Sequence, residues 1–176
     1  MNLYKKISFA ALLIFVLNCG KTDTGAAAAK NLKWLSFNEG YELALKEKKY
    51  LLVDFYADWC KWCKVMETET FEKPDIINRL NADYITARVH VDKPGKIQFK
   101  GRILSSEEFA AGMGIVNLPT LMFFDKNGEA LTKIPGFIDE KTMLPFLAYI
   151  SSGCYNKQVS FDEYVKNSAL CSGKKL

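Results

Sequence analysis

Two cysteines at C-x-x-C spacing, Cys60 and Cys63, are the residues of this chain best suited by type and spacing to chemistry. They follow an apolar run, Leu51, Leu52, Val53 and Phe55, which predicts a buried strand, and they precede residues that favour a helix. A helix N-terminus stabilises a thiolate, because its unpaired backbone N–H groups and the helix dipole favour negative charge. A thiolate attacks disulfides, and a second thiol nearby can close a ring and release the partner. The pair therefore predicts thiol–disulfide exchange.

Two other uses of a C-x-x-C pair need to be weighed. A zinc site requires further ligands at a related spacing. The remaining cysteines are Cys19, Cys154 and Cys171, the only histidine is His90, and the sequence has no second C-x-x-C. A purely structural disulfide between cysteines so close in sequence would constrain the unfolded chain very little. The sequence thus favours redox chemistry, and we expect no metal and no cofactor.

Two motifs carry a resemblance to a known family. The segment from Leu52 to Lys64, LVDFYADWCKWCK, resembles the active-site segment of the thioredoxin superfamily. With Glu67 following, it is similar to the periplasmic thioredoxin-like domains of the DsbD family of disulfide reductases. A second motif, Asn117-Leu118-Pro119-Thr120, resembles the family's cis-proline loop and precedes an apolar strand. The resemblance covers about residues 34–150 and implies an α/β thioredoxin fold. That fold has a central mixed sheet of about four to five strands with helices on both faces, here followed by a C-terminal helical extension.

The order of predicted elements agrees with this fold. We expect strands at about residues 51–57, 84–91, 119–125 and 130–135, the last two joined by the Asn127-Gly128 turn signal. Helices are expected over about residues 37–48, 60–70, 74–80, 106–112 and 139–151. Residues 93–104 contain two glycines and a proline, and we expect an irregular, polar insert there.

The N-terminus has the pattern of an export signal. Lys5 and Lys6 precede apolar residues 7–17, a run too short to span a membrane. Val16-Leu17-Asn18-Cys19 resembles a bacterial lipobox, which implies lipidation of Cys19. We therefore divide the chain into a lipoprotein-type signal peptide (1–19), a flexible tether (20–33), a thioredoxin-like domain (34–152) and a C-terminal extension (153–176). An uncleaved signal anchor or ordinary cleavage nearby are the alternatives, and both still export the domain.

The C-terminal extension holds the last two cysteines. An exported compartment permits disulfides, and we expect a structural bridge between Cys154 and Cys171. Between them Ser160 and Glu163 form a capping-box pattern that opens a short helix, whose apolar face would hold Phe161, Tyr164 and Val165. The bridge would hold this helix on the domain. A second redox pair is the alternative interpretation.

The resemblance assigns roles to three residues of the strand and the C-x-x-C. Cys60 is expected to be the nucleophile and the more exposed of the two thiols, and Cys63 the resolving thiol. Asp54 lies in the apolar strand, where burial should raise the pKa of its carboxyl so that it exchanges protons near neutrality. It matches the buried aspartate that helps to deprotonate the resolving thiol. An aspartate hydrogen-bonded for structure alone is the alternative.

Substrate docking is expected from the proline loop and two tryptophans. A cis peptide at Pro119 would place Leu118 beside the cysteines, where its backbone could pair with a substrate strand. A trans proline that opens a strand is the alternative. Trp59 matches the family tryptophan at the rim of the site. Trp62 departs from the family pattern, and would either dock partners or cover Cys63.

Charged residues near the first cysteine act in opposite directions. Lys61 and Lys64 should favour its thiolate, whereas Asp58 should disfavour it. Arg88 falls near the place where thioredoxins often carry a lysine close to the buried aspartate. We assign His90 no role, because a lone histidine is more often structural than catalytic.

Composition sets the remaining expectations. The chain is 49% hydrophobic and 25% charged, as in soluble globular proteins, and its net charge of +4 includes two lysines of the leader. Without a basic stripe interleaved with aromatic residues, nucleic acid is not an expected partner.

We expect an exported thiol–disulfide oxidoreductase on the periplasmic side of a bacterial membrane, held by a lipid anchor. Its partners would be protein thiols or disulfides of the cell envelope and a membrane or periplasmic electron donor. An oxidase or isomerase on the same fold and a non-catalytic binding module are the alternatives.

Overall fold

A computed structural model describes residues 31–171 of the chain. The expected signal peptide, Cys19 and most of the expected tether lie outside the described residues. The strands are β1 (Leu35–Ser36), β2 (Tyr50–Tyr56), β3 (Tyr84–His90), β4 (Ile97–Phe99), β5 (Arg102–Leu104), β6 (Thr120–Phe124) and β7 (Ala130–Pro135). The helices are α1 (Phe37–Glu47), α2 (Lys61–Met66), α3 (Pro74–Asp83), α4 (Ser106–Gly112), α5 (Glu140–Ser151) and α6 (Phe161–Lys166). Within residues 31–171 no helix is long and apolar enough to cross a membrane.

The central sheet has five strands in the order β1-β3-β2-β6-β7. Strands β1, β3 and β2 run parallel, whereas β6 and β7 are antiparallel to their neighbours. Two buried apolar clusters cover the two faces of the sheet, one including Phe37 and Phe109 and the other Leu80 and Leu147. Strand β2 is buried on both sides, as its continuous apolar sequence predicts. The expected mixed sheet with helices on both faces is confirmed.

Local signals place most helix starts. Capping boxes at Ser36, Ser105 and Ser160 open α1, α4 and α6, each with the serine hydroxyl accepting a backbone N–H and the Glu side chain reaching back. Asp139 caps α5 by accepting the N–H of Thr142 at 2.9 Å. These pairs satisfy N–H groups that a helix cannot pair internally, which explains why a local sequence pattern predicts them.

The turn between β6 and β7 follows the Asn-Gly signal. Gly128 has a φ of +80°, which a side chain would strain, and a Cβ there would lie 2.5 Å from the Tyr41 hydroxyl oxygen. The Asp125 carboxylate accepts the N–H groups of Asn127 and Glu129, each at 2.8 Å. The turn therefore requires glycine both for its conformation and for its contact with α1.

The insert at residues 93–104 is not irregular, contrary to the sequence-based expectation. It contains the antiparallel hairpin β4–β5. Ile97 and Phe99 are buried, and the Phe99 ring lies 5.8 Å from that of Phe37 on α1. The side chain of Asn38 also accepts the N–H of Gln98 at 2.8 Å. Contacts with a distant helix, which local composition does not reveal, order this segment.

The helix that follows Cys60 changes its geometry midway. The α-helical part ends at Met66, and a π-helical turn continues over Glu67–Phe71. Such turns often mark functional positions. Thr70 in this turn donates its hydroxyl to the carbonyl of Ile138 at 2.6 Å, which ties the turn to the loop before α5.

The C-terminal extension packs on α5. Cys154 and Cys171 are bonded, with their Cα atoms 5.3 Å apart, and both are buried. The Phe161 ring of α6 lies 5.6 Å from the ring of Tyr149 on α5. Val165, expected on the buried face of α6, is instead exposed. Phe161 and Tyr164 alone fill the contact, because a helix of less than two turns presents few side chains to one side.

Candidate active site

The cysteine pair lies at the start of α2. Cys60 and Cys63 form a disulfide with Cα atoms 5.3 Å apart. Cys60 is the N-cap residue, and its Sγ accepts the backbone N–H of Cys63 at 3.1 Å. A helix N-terminus thus points an unpaired N–H at the sulfur that would carry a negative charge after reduction. This geometry supports a reactive thiolate at Cys60.

Cys60 is not the more exposed cysteine in the disulfide-bonded state. It is 4% exposed, whereas Cys63 is partly exposed. The Cys60 sulfur turns back over the first turn of α2, where it bonds to Cys63 and receives its N–H. The sequence pattern gives the order of the two residues along the helix but not this rotamer.

Asp54 is 2% exposed in the middle of β2. Its Oδ2 accepts a hydrogen bond from Arg88 Nε at 3.1 Å, and its Oδ1 is buried with no hydrogen-bond partner in the part of the chain that the structure describes. Burial raises the pKa of the Asp54 carboxyl to about 6, against the opposing effect of the Arg88 charge. The carboxyl can therefore exchange a proton near neutral pH, and Oδ1 is the oxygen with no competing bond.

Arg88 connects Asp54 to the π-helical turn. The two residues lie opposite each other in the β2–β3 register. The same guanidinium binds the carboxylate of Glu67, and it stacks 4.0 Å from the ring centre of Trp34. The resemblance in sequence indicated only that Arg88 falls near the buried aspartate. The parallel register of β2 and β3 shows that Arg88 and Asp54 are paired.

The proline loop meets the cysteines at the same end of the sheet. The Leu118–Pro119 peptide bond is cis. Thr120 pairs with Phe55 at the end of β2, so Pro119 lies beside the segment that leads to Cys60. The Pro119 carbonyl accepts the N–H of Gly136 at 2.7 Å, which fixes the loop to the chain after β7.

A groove runs beside the loop and Trp59. It has a volume of about 640 Å³, with Leu118 on one side and the segment after β3 together with α4 on the other. Trp59 lines it and is 70% exposed, and its indole N–H donates to the Asp92 carboxylate. The expected docking residues Trp59 and Leu118 are thus brought to one groove.

A second exposed aromatic group lies on α2. Trp62 is 55% exposed, and its ring centre is 5.6 Å from that of Phe137. Val116, the residue before the proline loop, is also exposed. Sequence analysis missed Phe137 and Val116, because each is a single apolar residue in a loop without periodicity. Exposed apolar side chains thus lie on the helix that begins with the cysteine pair and next to the proline loop.

The chain is similar to curated proteins named "Thiol:disulfide interchange protein DsbD". The protein from Actinobacillus pleuropneumoniae is 28% identical over 138 residues, which cover 75% of this chain and 22% of that protein. The Vibrio cholerae protein is 31% identical over 111 residues, covering 61% of this chain and 16% of that protein. The chain thus spans about a fifth of the length of the curated relatives it matches.

Solved structures agree on the fold. A thioredoxin from Thermus thermophilus superposes with a TM-score of 0.57 at 25% identity, covering 68% of this chain and 87% of that one. The oxidised C-terminal domain of DsbD from Neisseria meningitidis superposes with a TM-score of 0.51 at 20% identity, covering 66% and 97%. A family model described as a thioredoxin-like domain matches residues 37–151. With its bonded Cys-x-x-Cys pair, the chain belongs to the thioredoxin-like family and fits a thiol–disulfide oxidoreductase.

Proposed function

We propose that this protein exchanges disulfides with protein substrates through the Cys60–Cys63 pair, and that it acts as a reductase. The observation that carries the proposal is the position of the pair. Its N-cap sulfur receives a helix N–H, and the cis-Pro119 loop lies at the same end of the sheet. The exposed Trp59 and Trp62 offer apolar contacts to the surface around a partner's disulfide.

The reaction proceeds in two exchanges. The Cys60 thiolate attacks one sulfur of the partner's disulfide, which forms a mixed disulfide and releases the other partner sulfur as a thiolate that takes up a proton. Asp54 then accepts the Cys63 proton, and the Cys63 sulfur attacks Cys60. The partner leaves with both of its sulfurs reduced. The protein has given up two electrons and now holds the Cys60–Cys63 disulfide. An external thiol donor must reduce this disulfide to restore the two thiols.

The reducing direction rests on the likeness to DsbD. Oxidation or isomerisation on the same fold is the alternative, and equilibration with glutathione separates the two. A pair that glutathione leaves largely reduced even at high oxidised glutathione would contradict the reductase. A binding module without catalysis predicts that the Cys60→Ser/Cys63→Ser variant keeps the wild-type phenotype.

Reduction of insulin tests the activity directly. The full chain should accelerate insulin precipitation in the presence of a dithiol donor, and Cys60→Ser should remove the acceleration. A Cys63→Ala variant should instead accumulate the mixed disulfide, because no thiol resolves it. Equal rates for wild type and Cys60→Ser would reject the proposed activity. The trapped partner, isolated from the cell envelope and identified by mass spectrometry, gives the substrate.

We also propose export and lipidation at Cys19, on the lipobox resemblance of residues 16–19. The domain would then act at the periplasmic face of a membrane, at the end of the tether. Wild type should partition into the detergent phase of Triton X-114, and Cys19→Ser into the aqueous phase. Aqueous partitioning of the wild type would contradict the anchor and leave the redox proposal intact.

A further inference from the structure

The single histidine of the chain, His90, lies at the end of β3 beside the loop that leads into Cys60. Its side chain is 10% exposed, and neither ring nitrogen has a hydrogen-bond partner among residues 31–171. Nε2 nevertheless lies 3.1 Å from Oδ1 of Asp58, a contact that becomes an ion pair when the imidazole is protonated. Buried polar atoms are nearly always paired. The contact between this sheltered imidazole and the Asp58 carboxylate is therefore best explained by attraction between opposite charges.

Asp58 contacts His90 and is close to Cys60 in sequence, so the charge of His90 can affect Cys60 through it. It is two residues before Cys60, its side chain is 68% exposed, and its Oδ2 lies 2.9 Å from Lys93 Nζ. The hydrogen bond from Lys93, with a smaller contribution from His90, lowers the pKa of the Asp58 carboxyl, so it stays ionised. A negative charge at this place disfavours a thiolate at Cys60.

The two cations that can neutralise Asp58 differ in their surroundings. Lys93 is 60% exposed, so salt and water screen its contact. The side chain of His90 is sheltered from solvent, so its contact with Asp58 is screened less. Histidine is also the side-chain type whose charge can change near physiological pH. The charge felt at the start of α2 therefore depends on the protonation of His90.

Other charged or titratable groups lie on or next to the same face of the sheet: Asp54, Tyr56, Glu67, Arg88 and Asp92. The Tyr56 ring centre is 4.9 Å from that of His90. Arg88 is engaged with Asp54 and Glu67, and Asp92 accepts the indole N–H of Trp59. Asp58 is the carboxylate in contact with the imidazole.

We propose that His90 is a positioning residue of the redox site that acts through Asp58. Its protonated ring neutralises the Asp58 carboxylate and so maintains the Cys60 thiolate as the pH falls. This inference deepens the proposed function and rests on it for its consequence, which is a nucleophile that stays reactive in mildly acidic surroundings. The ionisation of Cys60 itself is measurable without a protein substrate.

The test is the pH profile of Cys60 alkylation. The reduced full chain is treated with iodoacetamide, and the Cys60 peptide is quantified by mass spectrometry. The wild-type rate should fall less steeply below about pH 7 than a single ionisation allows. The His90→Asn rate should follow a single ionisation, be about threefold lower near pH 6, and converge with wild type above about pH 8. Because Asp54 titrates in the same range, the comparison is repeated in an Asp54→Asn background, where the His90 effect should persist.

A second arm keeps the imidazole and removes the carboxylate. Asp58→Asn should raise the rate wherever Cys60 is not yet fully ionised and give a single ionisation, and adding His90→Asn to it should change little. Glu107→Gln, which removes a carboxylate from the α4 side of the groove, should keep the wild-type shape. Since Asp58 is exposed, this arm remains valid if His90→Asn fails to fold.

Three results would overturn the proposal. They are superimposable wild-type and His90→Asn profiles, a His90→Asn rate lowered by the same factor at every pH, and a His90 effect undiminished by Asp58→Asn. The ring resonances of the single histidine give an independent check, since their pH titration should move when the disulfide is reduced. A chain with the expected profile that fails to reduce insulin would reject the reductase but not the role of His90.

Discussion

The burial of Asp54 has a free-energy cost, and the same burial sets the pKa of its carboxyl. An ionised carboxylate at 2% exposure is unfavourable, and a single bond from Arg88 offsets only part of that cost. The result is a pKa of about 6 rather than a permanently ionised group. The charge of Arg88 keeps the pKa of Asp54 from rising further, so the carboxyl is largely deprotonated at neutral pH.

Replacing Asp54 should slow the second exchange and change its pH dependence. A mixed disulfide is prepared at Cys60 in the otherwise wild-type chain, and its resolution by Cys63 is followed by stopped flow. The wild-type rate should rise with pH through about 6, where Asp54 loses its proton. In Asp54→Asn that rise should vanish and the rate at neutral pH should fall about tenfold, below the usual range for a lost general base because water can take the proton.

Arg88→Met provides the companion variant. Loss of the guanidinium removes the opposing charge, so the pKa of Asp54 should rise and the rise in rate should move to higher pH. The first exchange, read from alkylation of Cys60, should keep its rate in Asp54→Asn. A resolution rate that is unchanged in Asp54→Asn would assign the aspartate a structural role only.

At the scale of elements, the sequence predicts what local contacts determine. The starts of α1, α4 and α6 and the turn at Gly128 depend on residues a few positions apart, and all four positions were predicted from the sequence, although Ser105 was not predicted as the cap of α4. The hairpin β4–β5 and the short strand β1 depend on contacts with α1 and β3, so local composition could not predict them. The Asp54–Arg88 pair could not be predicted for the same reason, because it depends on the register between β2 and β3.

The disulfide of the C-terminal extension makes a prediction at the same scale. Cys154 and Cys171 are 17 residues apart, and closing such a loop stabilises a fold by about 3 kcal/mol through the unfolded chain. The double variant Cys154→Ala/Cys171→Ala should lose about that much in urea unfolding, with the packing of α6 on Tyr149 as the first part to open. Insulin reduction should be retained if, as we propose, this pair is structural and the exchanges take place at Cys60. Loss of activity in a folded variant would favour the second redox pair instead.

The whole molecule combines a stable sheet with a destabilising group at its centre. The C-x-x-C, the proline loop and the buried aspartate were found from sequence, because their motifs are local. The groove, the exposed Phe137 and the contact of His90 with Asp58 were not, because they arise from loops that meet only after folding. The site therefore lies where local motifs and distant loops converge at one end of β2.

The stability of the oxidised protein should decrease as the pH rises through the titration of Asp54. The pKa of this carboxyl is raised on folding from 3.8 to about 6, so between these values the folded state binds more protons than the unfolded state. The loss of stability caused by Asp54 is absent below about pH 4 and complete above about pH 6, and over that interval it amounts to about 3 kcal/mol.

In Asp54→Asn the free energy of unfolding should lack this pH-dependent contribution. Urea unfolding at a series of pH values should then show the variant gaining about 3 kcal/mol on the wild type between about pH 4 and 7. The offset at low pH compares a neutral carboxylic acid with an amide beside Arg88, because Asp54 is then protonated in the wild type. A difference between the two proteins that does not vary with pH would show that Asp54 is ionised throughout, and would remove the basis for its role as a proton acceptor.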